Sequence, residues 1–336
     1  MKNVLLFFSI VVLFLGAASA QENNPKFSGY MFGDYFYNAN AIDSAMKDIN
    51  GFNFRRIYIT TDYSISDQFS TRFRMESAIS NGSNISVIVK DAWLKWQNIF
   101  SGSDLVVGIS PTPAYDVSEG AWGYRSLEKT IMDYFGIVSS RDMGIDLKGK
   151  LDENGIAKYW VKIGNGSGNK PETNKYKRYY ALLQFTPGSD FMFTLYGDYN
   201  TLPKVEDKDN SAFVAAGFIN YKHDKAFSLG IEGFIKNQQN AYTAPGAESP
   251  ETKNGFGISF WAKALLSDNI GIVGRYDTYD PNTNSAAKND KQGLIIGAVD
   301  FKVAPKVSVM PGIEVHTLEG ADNSDVTPRV TFYWKF

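Results

Sequence analysis

The sequence contains no cysteine. Disulfides, thiolate metal sites and a cysteine nucleophile are thereby excluded, and export through an oxidising compartment carries no risk of mispairing. Histidine is almost as scarce, with His223 and His316 the only two. The strand pattern developed below puts them at opposite ends of the molecule, so they cannot act as a catalytic pair. A hydrolase built on His316 and a serine would need a partner that no spacing singles out. A basic excess is also missing: 34 Lys and Arg stand against 36 Asp and Glu, which leaves no electrostatic footprint for nucleic acid. The stretch Gly164-Asn165-Gly166-Ser167-Gly168 lacks the Gly-Lys-Ser/Thr ending of a phosphate loop and reads as a surface turn. Asp322 to Asp325 reads as solvated loop charge rather than a calcium site. No cofactor or metal is expected.

Long apolar runs are lacking too, except at the start. Lys2 precedes an apolar stretch from Val4 to Leu15 broken only by Ser9, and Ala18-Ser19-Ala20 has the small-x-small cleavage pattern. Residues 1–20 therefore read as a secretory signal peptide, too short and wrongly flanked for a membrane-spanning helix. Gln21 would begin the mature chain and, not being cysteine, offers no site for a lipid anchor.

What the chain has in abundance is period-two alternation, with aromatics at 15% of residues, mostly tyrosine and phenylalanine. A strand crossing a bilayer at a steep tilt needs about 9 to 11 residues. Hydrocarbon tolerates only sheets whose backbone groups are all paired by closure. Sixteen segments qualify, near 27–38, 52–63, 69–79, 86–97, 104–110, 141–150, 156–164, 178–187, 190–200, 211–222, 226–236, 255–266, 269–279, 292–303, 306–317 and 327–336. Short turns such as Ser66-Asp67, Pro187-Gly188 and Ala304-Pro305 alternate with longer polar connections at 39–50, 80–85, 111–140, 165–176, 201–210, 237–254, 280–291 and 318–326. The short set is assigned to the periplasm and the long set to the outside. The pattern predicts an all-β protein, a transmembrane antiparallel β-barrel of about 16 strands filling residues 21–336, in a bacterial outer membrane. A soluble sandwich also alternates, but it accounts for neither the loop asymmetry nor the leader.

Alternation assigns faces. In the last segment Val330, Phe332, Trp334 and Phe336 share the lipid side, and Arg329, Thr331, Tyr333 and Lys335 the lumen side. The same rule turns Arg56, Arg72, Arg74, Lys95, Lys148, Lys158, Lys162, Arg178, Lys236, Lys263, Arg275 and Lys302 inward. Opposing them are Glu76, Asp91, Asp142, Asp146, Asp198, Glu232, Asp277, Asp300 and Glu314. This basic surplus would raise the anion concentration inside a narrow tube. Arg72 and Arg74 project to one face, where their forks suit phosphate or carboxylate. Equally, Glu76 and Asp91 could neutralise them as ion pairs that brace the wall. Segment 86–97 strains the rule, because either Lys90 or Asp91 with Lys95 must face lipid. A lysine at mid-bilayer costs about 2 to 4 kcal/mol, so Lys90 is assigned outward, near an interface. The inward aromatics Tyr58, Trp93, Trp160, Tyr180, Tyr196 and Trp261 support a second transport reading, a track on which sugar rings slide. A plugged structural or enzymatic barrel is the third class.

The longest connection, 111–140, carries Leu127, Ile131, Tyr134 and Phe135 at helical spacing, with Gly136 as a stop. Exposed to water, that short helix would waste its apolar face. Folded inward, it would bury that face and hold Glu119, Trp122, Tyr124, Arg125, Glu128, Lys129 and Arg141 near the narrowest point. A helix capping the mouth without lining the pore is the alternative.

Over residues 104–150 the chain resembles a known family. Val107-Gly108 leading to Pro113, Glu119 to Arg125 (Glu-Gly-Ala-Trp-Gly-Tyr-Arg), Ser140-Arg141-Asp142-Met143-Gly144 and Leu147-Lys148-Gly149 are similar to the phosphate-selective porin O and P family and its porin-like relatives. Phe336 is similar to the terminal aromatic read by barrel-assembly machinery. The resemblance implies a sixteen-strand, usually homotrimeric channel whose third loop folds inward. Phosphate-selective members carry a ladder of arginines and lysines in the constriction, whereas only Arg125 and Lys129 occupy this loop. The expected function is passive diffusion of small hydrophilic solutes, mildly favouring phosphate or other small anions. Membrane lipid, the solutes and further copies of the chain are the expected partners.

Overall fold

The computed structural model describes residues 24–80, 84–224, 226–242, 249–284 and 289–336; the expected signal peptide lies outside them. Sixteen antiparallel strands each pair with their sequence neighbours, and the last returns to the first to close the sheet. In order they are β1 Lys26–Tyr37, β2 Asn50–Ser64, β3 Phe69–Ser80, β4 Asn84–Phe100, β5 Ser103–Pro111, β6 Arg141–Lys150, β7 Ala157–Gly164 and β8 Arg178–Phe185. There follow β9 Phe191–Val205, β10 Lys208–His223, β11 Phe227–Tyr242, β12 Glu251–Ser267, β13 Ile270–Asp280, β14 Gln292–Ala304, β15 Val307–Leu318 and β16 Asp325–Lys335. All sixteen expected segments are present.

Several strands run further than alternation suggests, at the end bearing the longer connections. Residues 201–210 are not a loop. β9 continues to Val205 and β10 starts at Lys208, leaving Glu206 (φ 49°) and Asp207 (φ 60°) as the two left-handed residues of a tight hairpin. The connection at 237–254 likewise shrinks, because β11 reaches Tyr242 and β12 begins at Glu251. β3 and β4 reduce the one at 80–85 to residues 81–83, which are outside the described set. A paired ladder satisfies its own backbone groups, so it need not stop where lipid stops.

The outer face is an uninterrupted apolar band. Ile59, Val107, Ile145, Leu195, Ile219, Ile231, Ile272, Ile295 and Ile313 are all exposed on it. Trp96, Phe191 and Phe301 flank the band toward the short turns, and Tyr35, Tyr179, Tyr199 and Tyr276 toward the long connections. A belt of that size belongs in hydrocarbon between aromatic girdles. Among the described residues no helix is long and apolar enough to cross a membrane; the crossing is made by strands. The chain is an outer-membrane β-barrel.

Two departures from strict alternation supply the lumen with extra charge. Between β1 and β2 the register slips at Phe32/Gly33, so that Phe32 faces Arg56 and Gly33 faces Phe54. Arg55 is the extra residue of this bulge, and both Arg55 and Arg56 turn inward. Between β3 and β4 Arg74 faces Asp91 and Met75 faces Val89, which leaves Lys90 as the extra residue. Lys90 is therefore not outward. Its Nζ lies 2.7 Å from Glu76 Oε2 and 3.0 Å from Ser140 Oγ, while the neighbouring Asp91 is fully buried. A bulge places two successive side chains on one face, and so removes the choice that alternation imposed.

Closure rests on β1 and β16. Gly29 N–H donates to Phe336 O at 3.1 Å, and Phe336 N–H to Gly29 O at 2.9 Å. On the outer face the Phe332 ring covers Gly33 and the Phe336 ring covers Gly29, an aromatic-over-glycine arrangement that pins register. A Cβ at Gly29 would collide with that ring and with the Tyr58 carbonyl. Gly29→Leu should therefore destabilise the barrel by about 1 to 3 kcal/mol, read as a lower temperature for loss of the compact band in heat-modifiable electrophoresis. An unchanged temperature would show that Phe336 does not clamp the seam.

Candidate functional site

Residues 112–140 fold into the barrel and split its interior into a packed side and an open side. Two short helices form here, α1 Asp116–Trp122 and α2 Ile131–Tyr134. Trp122, Leu127, Ile131 and Met132 are at most 2% exposed. Ile131, Met132, Ile137 and Val138 pack on Trp160, Tyr180, Leu182, Tyr196, Val214 and Phe234 of β7–β11. Trp122 and Leu127 pack on Phe218, Trp261, Val273, Leu294, Ile296 and Met310. The apolar residues read from the sequence are thus buried against the wall as expected.

The helix expected over 127–135 is not continuous, and the longer helix lies upstream of it. The reason is visible in the carbonyls that such a helix would need. Arg55 Nη1 takes Ser126 O (2.9 Å) and Leu127 O (2.7 Å), Trp122 Nε1 takes Glu128 O (2.9 Å), and Arg275 takes Lys129 O. Four successive acceptors are turned away from helical N–H groups, so only the single turn at Ile131–Tyr134 survives, stopped by Gly136 at φ 64°.

Those contacts also clamp the loop from opposite walls. Arg55 on β2 adds an ion pair to Glu128 (3.0 Å). From the other side Lys263 on β12 donates to Ala121 O (2.6 Å) and Trp122 O (3.0 Å) at the end of α1, Ser118 Oγ bonds Glu232 on β11 (3.0 Å), and Tyr124 OH donates to Asp300 on β14 (3.1 Å). Arg55 carries no signal under strict alternation. Its only sequence mark is that Arg55-Arg56 would otherwise put one guanidinium into lipid.

The remaining inward cations are where alternation puts them, most of them paired. Arg56 meets Glu76 (3.0 Å), Arg72 meets Asp62 (2.7 Å), Arg74 meets Asp91 (3.3 Å), Lys95 meets Asp104 (3.6 Å), and Arg329 meets Glu314 (3.0 Å) and Asp34 (3.8 Å). Arg141 also binds Asp91. Arg72 therefore uses Asp62 rather than Glu76 or Asp91. Three of the expected pore-lining residues are sealed in the wall: Lys162 on Asp146 (3.1 Å), Arg178 on Asp198 (2.8 Å) and Arg275 on Asp277 are almost fully buried. Trp122 is buried against Trp261 rather than facing the passage, and Lys158 is exposed near the short turns. Of the six aromatics on the lumen face, Trp160, Tyr180, Tyr196 and Trp261 are covered by the loop.

What stays open lies beside β15, β16, β1 and β2 toward the long connections and widens toward β9–β12 and β14 near the short turns. Toward the long connections a cavity of about 240 Å³ is bounded by Tyr134, Glu314, His316 and Asp325. Tyr134 also borders the next, of about 310 Å³, lined by Phe32, Arg55, Arg56, Arg125, Glu128 and Lys129. Arg125 in turn borders a third, of about 800 Å³, that reaches the short turns. Tyr134 and Arg125 thus stand between successive cavities of the interior. Arg125 pairs with Glu119 (3.5 Å) and lies over the Phe32 ring. Burial holds the Glu119 carboxyl above the usual glutamate range, with Arg125 opposing it. For Glu128 burial pushes the same way, but Arg55 and Arg125 overcome it and hold the group below that range.

No family model matches the sequence, and no curated protein does. Solved structures match along nearly the whole chain. The anion-selective porin from Comamonas acidovorans is 11% identical with a TM-score of 0.68, covering 94% of this chain and 100% of that one. The outer membrane channel DcaP of Acinetobacter baumannii is also 11% identical at 0.68, over 94% and 97%. Outer-membrane expressed OmpT of Vibrio cholerae is 12% identical at 0.67, over 95% and 99%. At such identities the common property is the fold, a sixteen-strand barrel of the kind porins use.

Arg55→Ala would strand Glu128 and free two loop carbonyls. Removing one partner of a buried pair costs about 3 to 5 kcal/mol, so urea unfolding in detergent should show a large loss. Single-channel current should become larger and noisier as the loop loosens. A quiet, unchanged current would mean that Arg55 does not hold the constriction.

Proposed function

We propose that the chain is a passive outer-membrane pore for small hydrophilic solutes, with a mild preference for anions such as phosphate or carboxylates. The observation that carries this reading is the chamber of about 310 Å³ between Tyr134 and Arg125. Four cations, Arg55, Arg56, Arg125 and Lys129, line it against one carboxylate, Glu128, while Asp34, Glu76 and Glu119 pair with the first three from outside that lining. Lys129 has no ion pair among the described residues. In a tube of low-dielectric wall this surplus concentrates anions and repels cations. Size exclusion falls to the inward loop. The short turns face the periplasm in this reading, residues 1–20 direct export and are removed, and Phe336 is the aromatic that assembly machinery reads. A homotrimer is proposed with it. The covering of four lumen aromatics by the loop speaks against the sugar track that those residues would have formed.

In planar bilayers under a KCl gradient, the reversal potential should give an anion-to-cation permeability ratio above one. Replacing Arg125 and Lys129 together with alanine should lower it at least severalfold, and a ratio indifferent to that change would sink the anion preference. No conductance at any protein load would sink the pore itself. Deleting residues 119–135 should raise single-channel conductance.

A pH dependence follows from Glu119. Because its folded-state pKa is raised, the group loses its charge at a higher pH than an ordinary glutamate, near 4.3. Acidification from neutral pH then removes the ion-pair partner of Arg125, while Glu128, held low, stays charged. The permeability ratio should rise as pH falls through the mildly acidic range, and Glu119→Gln should hold it at the acidic value throughout. A ratio flat with pH in the unaltered protein would show that Glu119 does not face the ion path.

A further inference from the structure

The 800 Å³ chamber on the short-turn side of Arg125 has chemistry different from that of the constriction above it. Its cations, Arg125, Lys222 and Lys263, are matched by Asp116, Asp224 and Asp300. A balanced lining concentrates neither anions nor cations, so what it can hold is a neutral solute. Its volume falls in the range of small-molecule sites, about 300 to 1,000 Å³.

Three tyrosines give the chamber flat faces. Tyr30 and Tyr333, with ring centroids 6.0 Å apart, stand on β1 and β16, and Tyr124 stands on the loop. Tyrosine offers a ring on which the C–H face of a sugar rests and a hydroxyl that remains free to bond. These three are not the aromatics sealed under the loop.

A second feature is an unmet hydrogen-bond demand. Asp300 is 94% buried, its residual exposure being 6%. Its Oδ2 accepts from Tyr124 OH at 3.1 Å, whereas Oδ1 has no hydrogen-bond partner among the described residues. Leaving a buried carboxylate oxygen unmet is costly, and Asp300 borders the chamber, where a further donor adds to the single hydrogen bond from Tyr124. A hydroxyl donor answers the demand without upsetting the charge balance. Asn220 on β10 and Ser228 on β11 add polar groups elsewhere in the lining.

We propose that this chamber is a binding site for a neutral, polyhydroxylated ring, a mono- or disaccharide, seated on Tyr30, Tyr124 and Tyr333 with a hydroxyl donating to Asp300. It rests on the pore reading, because the sugar reaches or leaves the chamber through the route past Arg125. Sugar binding here is local to one chamber and compatible with an anion-leaning constriction.

The test is current block in planar bilayers. Maltose added on the short-turn side should reduce the KCl current of single channels in a saturable way. Asp300→Asn retains shape but weakens the acceptor, and should raise the half-blocking concentration about tenfold, each variant being measured against its own open current. Tyr333→Leu should raise it as well, and serves if the Asn variant fails to assemble. Saturable binding of maltose to the detergent-solubilised barrel gives a readout independent of conductance. Conducting channels that maltose does not block, or block that both variants leave unaltered, would overturn the sugar site and leave the pore intact. Block by glycine but not by maltose would also overturn it, in favour of a zwitterion. Absence of any conductance, with no maltose bound in detergent, would overturn both readings together.

Discussion

An unpaired backbone group in hydrocarbon costs several kcal/mol, and the architecture follows from avoiding that cost. It forces the sheet to close, and closure depends on one seam, where Gly29 and Phe336 exchange backbone hydrogen bonds. With every ladder satisfied, side chains are free to specialise by face: aliphatic and aromatic outside, charged inside. The same rule explains why β9–β12 continue past the belt. A hairpin that carries its pairing with it is stable on either side of the membrane edge.

Inside, two solvent problems are solved differently in the two halves of the barrel. Along β7–β15 the inward loop covers an apolar cluster on the lumen face and seals the ion pairs set among it, as one layer of a soluble domain covers another. Along β16 and β1–β4 the lining is ionic, and nearly every guanidinium has a carboxylate. Toward the long connections the open cavities lie against the ionic half, whereas the larger one beside the short turns also reaches β9–β12, β14 and β15. The residues that separate the cavities, Tyr134 and Arg125, come from the loop, whereas the wall supplies most of the residues around them. Aperture size is therefore set by how firmly the loop is held, and aperture charge by a few residues on either side.

Much of this was legible in the residue order. All sixteen strands and the inward side of all nine acidic residues followed from alternation, eight of the nine being buried and Glu314 pairing with Arg329, because a barrel wall has only two faces and lipid accepts only one kind of side chain. The burial of Leu127 and Ile131 followed from their spacing. What stayed hidden was long-range. Lys90 and Arg55 turn inward through bulges, and a bulge is a property of two strands together. Adjacent charges, Arg55-Arg56 and Lys90-Asp91, are the trace it leaves, since no alternating strand could keep both out of lipid. The helix boundaries in the loop were hidden for a similar reason: the carbonyls of residues 126–129 are claimed by side chains distant in sequence or held in a neighbouring turn. Which lumen cations would be sealed rather than exposed depended on where the loop comes to rest, and periodicity is blind to that.

The wall grips the loop mainly by its main chain. Arg55, Lys263 and Arg275 hold the carbonyls of residues 121, 122, 126, 127 and 129, and a carbonyl is the one acceptor that every amino acid supplies. Several side chains of the segment can therefore drift through mutation without loosening its anchorage. A lineage carrying this scaffold is free to exchange the charge and bulk presented to solutes, residue by residue, while the barrel around them stays the same.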